Sequence, residues 1–145
     1  MKNRLTPHLF LLAFGLCTTL NTQAENGELF VSDAPVDYSV WTQEERAKDI
    51  AIRNLQRSDS LSTHLVLVNG QEPPHYHDKH DLTAVVLSGE SILHLKDKDV
   101  RLSPGSIAVI PKGTFHWTEN ISADGSVVFT SFSPAFDGKD RRLVD

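Results

Sequence analysis

Residues 105–120 read GSIAVIPKGTFHWTEN, and this stretch carries the pattern that decides the fold. An apolar run, Ile107–Ile110, is followed by the turn Pro111-Lys112-Gly113 and by a second run that begins near His116. Short apolar runs bounded by proline and glycine predict β-strands joined by tight turns. The segment therefore predicts two neighbouring strands, with a histidine at the start of the second.

The same alternation of short runs and turn residues continues through most of the chain. Breakers such as Asn69-Gly70, Ser88-Gly89 and Asp124-Gly125 separate the runs, and residues of these types favour turns. Strands are predicted at residues 50–55, 63–69, 82–87, 91–96, 100–102, 107–110, 115–119 and 127–132. Without a long helix between them, they predict an all-β antiparallel sandwich or barrel. Thr42 and Glu45 fit a capping box, which predicts a short N-terminal helix to about Asp49.

A second segment, residues 74–81, reads PHYHDKHD and supplies further histidines. Residues i and i+2 of a strand lie on the same face, so His75 and His77 can direct their imidazoles to one point. His116 would join them from another strand, and Asp81 would add a carboxylate after a short turn. Histidines grouped in this way indicate a divalent metal site. His64 and His94 are interpreted as ordinary surface or hydrogen-bonded residues.

Together the two segments resemble the cupin family. The second cupin motif is a glycine, five residues, Pro-x-Gly, two residues, a histidine, three residues and an asparagine. It matches at every fixed position: Gly105, Pro111, Gly113, His116 and Asn120. The first motif matches at His75, His77 and Gly89, but its glutamate is missing. Spacing from His77 puts the glutamate position at Asp81, whereas spacing from Gly89 puts it at Leu82.

The resemblance implies an antiparallel double-sheet jelly-roll barrel over residues 63–133. Residues 25–62 would form an N-terminal extension with the first strands, and residues 134–145 an irregular C-terminal tail. The implied ligands of one divalent ion (Fe, Mn, Ni, Zn or Cu) are His75, His77, Asp81 and His116. Asp81 is preferred as the substitute for the glutamate, through a one-residue bulge. A centre of three histidines, or one completed by His80, remains open, and no catalytic residue is assigned.

The N-terminal residues predict a secretory signal peptide over residues 1–24. Lys2 and Arg4 precede an apolar run of 12 residues, Leu9–Leu20, and Ala24 ends a cleavage site of small residues. This run is shorter than the about 20 residues that span a bilayer, so we expect cleavage and no membrane insertion afterwards. The mature protein is expected in the periplasm or outside the cell.

Cleavage would change the chemistry of the chain in two ways. It removes two basic residues and no acidic one, so the formal net charge goes from −5 to −7. An acidic domain without a basic cluster is a poor partner for nucleic acid. Cleavage also removes Cys17, the single cysteine, which excludes disulfides and thiolate metal ligands from the mature protein.

Two classes of function are consistent with these features. The resemblance suggests a metal-dependent enzyme, a dioxygenase-like oxidoreductase that acts on a small organic molecule. The alternative is a non-catalytic module of the cell envelope that binds a small molecule or a metal, because fold alone does not fix function. Few polar side chains are predicted to line the interior besides the ligands, namely Thr83, Thr130 and Arg101. A homodimer is also consistent with the resemblance.

Overall fold

The structure, a computed structural model, describes residues 27–144, so the predicted signal peptide lies outside the described residues. The described chain forms twelve strands and one short helix, α1 (Gln43–Arg46). The strands are β1 (Phe30–Val31), β2 (Ala34–Pro35), β3 (Ile50–Arg57), β4 (Ser62–Val68), β5 (His75–Tyr76), β6 (Asp81–Ser88), β7 (Ser91–Leu95), β8 (Asp99–Leu102), β9 (Ile107–Ile110), β10 (His116–Asn120), β11 (Ser126–Ser133) and β12 (Arg142–Leu143). Each of the eight predicted runs lies on one of these strands.

Two antiparallel five-stranded sheets make up the body of the domain. The first sheet has the order β3-β4-β11-β6-β9, and the second sheet has the order β12-β5-β10-β7-β8. Strands that are distant in sequence are neighbours in both sheets, as in β4 beside β11 and β5 beside β10. This arrangement confirms the predicted all-β double-sheet jelly-roll.

The space between the sheets holds the larger of two apolar clusters. Val86 and Phe132 of the first sheet and Leu93 of the second sheet belong to it and are buried. Strand β4 is also covered on its other face, where Leu65 and Leu67 pack with Trp41 of the N-terminal extension. The extension therefore covers part of the outer face of the first sheet, and the inner face lines the interior.

The short helix begins where the sequence predicts and ends earlier. Thr42 accepts the N–H of Glu45, and the Glu45 carboxylate accepts the N–H of Thr42, which completes the capping box. The Asp49 carbonyl then accepts the N–H groups of Asn69 at 2.8 Å and Gly70 at 3.1 Å. These bonds turn the chain into β3, so the helix ends at Arg46 instead of about Asp49.

The C-terminal segment, residues 134–144, is irregular except for one short strand, β12. Its strand β12 pairs with β5, with Arg142 opposite Tyr76 and Leu143 opposite His75. This pairing places the end of the chain beside the histidine-rich segment. None of the helices within residues 27–144 is long and apolar enough to cross a membrane.

Candidate metal centre

Strands β5 and β10 of the second sheet bring three histidines together. His75 and His116 are paired residues of these strands, and His77 follows directly after β5. The Gly113 N–H donates to the His77 carbonyl at 2.7 Å, with Gly113 at a φ of 77°. That left-handed backbone conformation favours glycine, so the Pro-x-Gly turn fixes the position of His77 as well as the start of β10.

Backbone carbonyls orient all three rings of this histidine triad (His75, His77 and His116). His75 Nδ1 donates to the Pro73 carbonyl at 2.8 Å, and His116 Nδ1 donates to the Thr114 carbonyl at 2.9 Å. His77 Nδ1 donates to the Asp140 carbonyl. A carbonyl oxygen only accepts, so each ring carries its proton on Nδ1 and keeps the lone pair on Nε2.

The three lone pairs converge on one point. One nitrogen from each ring lies within 4.8 Å of the other two, and the Nε2 atoms of His75 and His77 are 3.3 Å apart. Nε2 of His116 is buried without a hydrogen-bond partner. Two imidazole ligands about 2.1 Å from a zinc ion would be about 3.0–3.4 Å apart. The residues present therefore fit a divalent metal ion bound by three imidazoles.

Burial keeps the triad unprotonated. Desolvation is the main cause that lowers the pKa of His75 to about 3 and that of His77 to about 4. It also lowers the pKa of His116, and the positive charge of Arg141 acts in the same direction on all three rings. Neutral imidazole is the form that binds a metal ion, so the triad is ready to do so at neutral pH.

The structure does not bring Asp81 to the triad, which corrects the sequence-based prediction of a carboxylate at this position. The pairing of β6 with β11 runs without interruption from Asp81 through Val86, and its irregularity lies at Val127 and Val128 instead. The expected bulge is therefore absent, and Asp81 points away from its lumen-facing neighbour Leu82. The Asp81 carboxylate is exposed and accepts the Lys112 N–H at 2.9 Å.

His80, the other open candidate, also lies outside the group of three. Its Nδ1 is 2.6 Å from an Asp140 carboxylate oxygen, and its Nε2 is 3.3 Å from the Ala135 carbonyl. The same carboxylate accepts the N–H groups of Asp78 at 3.1 Å and Lys79 at 2.8 Å. Burial would raise the pKa of Asp140, but these hydrogen bonds, with His80 foremost, hold it below its usual value. These hydrogen bonds of Asp140 therefore hold the loop that carries His77 against the C-terminal segment.

The triad opens into a cavity of about 690 Å³ between the sheets, called the lumen below. Its walls are largely apolar, with side chains such as Leu82, Val86 and Phe132. Thr130 lines it as predicted, and its buried hydroxyl has no hydrogen-bond partner among the described residues. The other two predicted polar side chains are not among the lining residues: Thr83 lies on the opposite face of β6, and Arg101 is exposed and pairs with Glu90 at 2.6 Å.

The lumen also contains polar residues that the sequence did not single out. Glu72 and Arg141 both line it, and their side chains form an ion pair at 2.7 Å. Burial raises the pKa of Glu72, and Arg141 opposes that rise. Neither residue belongs to a motif, and the one available signal was the position of Glu72 just before Pro73-Pro74-His75.

His64 and His94 both agree with their interpretation as surface or hydrogen-bonded residues, although His64 lies in the lumen wall. His64 is buried in the lumen wall, with Nδ1 2.9 Å from Asn54 Oδ1 and Nε2 3.0 Å from Ser62 Oγ. Desolvation lowers its pKa. His94 lies outside the lumen lining, stacked on Trp117 with ring centroids 3.7 Å apart and bonded to Asp99.

Comparisons with known proteins agree with this fold and site. The family model of the Cupin domain matches residues 63–132. An uncharacterized protein of Aquifex aeolicus (strain VF5) is 38% identical over 110 residues, which make up 76% of this chain and 90% of that protein. The relative is thus matched over nearly its whole length.

Two solved structures illustrate the similarity. KdgF from Halomonas sp. is 30% identical with a TM-score of 0.59, over 62% of this chain and 84% of that one. Pac13 of Streptomyces, described as a nucleoside dehydratase, has a TM-score of 0.59 at 19% identity, over 66% of this chain and 78% of that one. At the lower identity the likeness concerns the fold alone.

Proposed function

The chain belongs to the cupin family, and from this premise we propose that it is a metal-dependent enzyme acting on a small organic molecule inside the barrel. The observation that carries the proposal is the convergence of three Nε2 lone pairs on one point of an apolar lumen. Nitrogen ligands of this kind suit Fe, Mn, Ni, Zn or Cu. Such an ion, when bound, supplies Lewis-acid chemistry or activates dioxygen.

The lumen has the properties of a substrate pocket. Its volume of about 690 Å³ lies within the range of about 300–1,000 Å³ that is usual for small-molecule sites. Apolar walls surround the triad, while Thr130 and the Glu72–Arg141 ion pair offer hydrogen bonds that fix an orientation. With three protein ligands, coordination positions stay free for the substrate.

The reaction we propose first is a dioxygenase-like oxidation, as the family resemblance suggests. Glu72 favours a second reaction class, a metal-assisted proton transfer such as an isomerisation or an elimination. Its carboxylate lines the same lumen, and burial raises its pKa, which is the direction of shift that suits a proton-transferring carboxyl group.

A screen of the purified mature protein separates these candidates. The protein is loaded with each of the five metals and offered small phenols, diketones, thiols and carboxylic acids. Oxygen uptake and product formation are recorded, with His116→Ala as the inactive control and His94→Ala as the matched active control. Oxygen uptake supports the oxidation, and products formed without oxygen support proton transfer. Binding of metal and ligand without turnover would favour the alternative, a non-catalytic module of the cell envelope.

Export and assembly are further parts of the proposal. The charged, apolar and small-residue order of residues 1–24 supports a signal peptide and a mature chain that begins at Glu25 in the periplasm or outside the cell. The intact mass of the exported protein tests this, because retained residues 1–24 would contradict it. A homodimer remains a prediction, to be tested by sedimentation of the mature protein.

A further inference from the structure

The C-terminal segment brings a guanidinium group into the lumen. Arg142 lies opposite Tyr76 in the β12–β5 pair, and its guanidinium sits 4.1 Å above the Tyr76 ring on the outer face of the sheet. Successive side chains of a strand alternate between faces. Arg141 therefore extends to the inner face, where it lines the lumen together with the histidine triad.

Arg141 meets a single carboxylate there. Its Nη2 donates to Glu72 Oε1 at 2.7 Å. Within residues 27–144, no other side chain accepts a hydrogen bond from Arg141, so its Nε and Nη1 donors remain for solvent or a ligand. The side chain of Arg141 is 34% exposed and that of Glu72 is 17% exposed, which places the pair at the border between the lumen and solvent.

The charges of the lumen favour an anionic ligand. The triad contributes three neutral imidazoles, and Asp81, the carboxylate expected to join them, is exposed on the other face. A divalent ion on the triad would then add two positive charges with no carboxylate among its protein ligands. Buried charge is costly unless it is paired. The other charged side chains that line the lumen cancel in pairs, Arg57 and Arg141 against Glu72 and Asp137. An anionic ligand would therefore balance the charge of the ion.

Resting on the function proposed above, we propose that the lumen takes a small organic carboxylate whose negative group is held by Arg141. Glu72 is then the resident counter-ion that competes with the ligand for the same guanidinium. A planar guanidinium can donate two parallel hydrogen bonds to a carboxylate along one edge. Glu72 takes one of the five N–H donors of Arg141, so the second Nη2 hydrogen can pair with Nε or Nη1 for this purpose. The apolar walls would surround the carbon skeleton of the ligand.

Benzoate and benzamide are suitable probes, because they have nearly the same shape and differ in charge. Calorimetric titration into metal-free mature protein measures the contribution of Arg141 without a metal ion that could hold the carboxylate. We expect benzoate to bind more tightly than benzamide. Arg141→Gln should weaken benzoate binding by about tenfold or more, with little effect on benzamide.

Two further variants distinguish recognition from a structural role. Glu72→Gln removes the competing charge and should tighten benzoate binding several-fold, although it breaks the same ion pair as Arg141→Gln. Arg142→Gln is the matched control, since Arg142 pairs with Asp78 outside the lumen, and it should leave the affinity within about twofold. Equal weakening by Glu72→Gln and Arg141→Gln, or no effect of Arg141→Gln, would overturn the proposal.

The same titrations with zinc-loaded protein separate this proposal from the proposed function. If zinc fails to bind but Arg141 still governs benzoate affinity, the metal-dependent function fails and carboxylate recognition stands. If zinc binds, and Arg141→Gln leaves benzoate affinity unchanged in both the metal-free and the zinc-loaded protein, carboxylate recognition fails and the metal centre stands.

Discussion

Leu82 lies at the lumen position where the cupin motif has its glutamate. It is 8% exposed and belongs to the apolar cluster between the sheets. Asp81 lies on the other face of β6, where its carboxylate accepts a hydrogen bond from the Lys112 N–H. The two spacings in the sequence disagree by one residue, and such a shift in a strand moves a side chain to the opposite face. Three imidazoles therefore remain as the ligands that the structure brings together.

Introducing a carboxylate at position 82 tests whether Leu82 occupies the glutamate position of the motif. Leu82→Glu should raise the affinity for a divalent ion by at least about 10–100-fold, the change that even an outer-shell partner makes. Asp81→Asn should leave the affinity unchanged. Competition with a chelator measures both, and thermal unfolding with and without metal shows whether Leu82→Glu still folds. A strong loss in Asp81→Asn would mean that Asp81 turns inward after all.

The sequence predicted the triad because cupin motifs fix the spacing of His75, His77 and His116. It did not predict the rest of the lumen, for physical reasons. Glu72 lies in a connection and Arg141 in a tail, so neither belongs to a periodic pattern. His64 faces inward on β4, a strand buried on both faces, and alternation of polar and apolar residues cannot reveal which side of such a strand lines a cavity.

At the scale of elements, the C-terminal segment supports the histidine triad from outside the matched family domain. A strand of two residues is too short to show periodicity, which is why β12 was not predicted. Two groups of Asp140, its backbone carbonyl and its side-chain carboxylate, form hydrogen bonds with the loop after β5. The Asp140 carbonyl accepts from His77 Nδ1, and its carboxylate accepts from the His80 side chain and from two backbone N–H groups.

Asp140→Asn should therefore weaken metal binding although Asp140 does not face the ion. We expect a loss of about 10–100-fold in affinity, the usual effect of disturbing an outer-shell partner. The free energy of unfolding should fall by about 1–3 kcal/mol, since buried polar groups lose charge-assisted hydrogen bonds. Calorimetry and denaturant unfolding measure the two effects. Asp59→Asn, which alters an exposed carboxylate in the turn between β3 and β4, is the control, and equal effects of both variants would contradict this role of Asp140.

At the scale of the whole molecule, the buried triad makes stability depend on pH. The pKa values of His75 and His77 lie at about 3 and about 4 in the folded protein, below the 6.5 expected after unfolding. The unfolded chain therefore binds more protons below pH 6.5, and the stability of the fold decreases as pH falls from there towards 4. Glu72, whose pKa is raised above 4.5, acts in the opposite direction but is a single group.

Denaturant unfolding of metal-free protein across this pH range measures the effect. Each buried histidine contributes a slope of up to about 1.4 kcal/mol per pH unit. His75→Gln should reduce the total slope by one such contribution, whereas Thr83→Ser, which changes no ionisable group, should not. A stability that does not change between pH 6.5 and 4, or an equal change in slope for both variants, would contradict neutral burial of the triad.

The most direct test of the metal centre is a calorimetric titration of zinc into the metal-free mature protein. We expect one ion per chain, loss of most binding in His116→Ala, and wild-type binding in His94→Ala. The last variant is a matched control, because His94 stacks on Trp117 outside the lumen lining. Absence of binding in the wild type, or equal loss in the two variants, would contradict the claim that His75, His77 and His116 hold the ion.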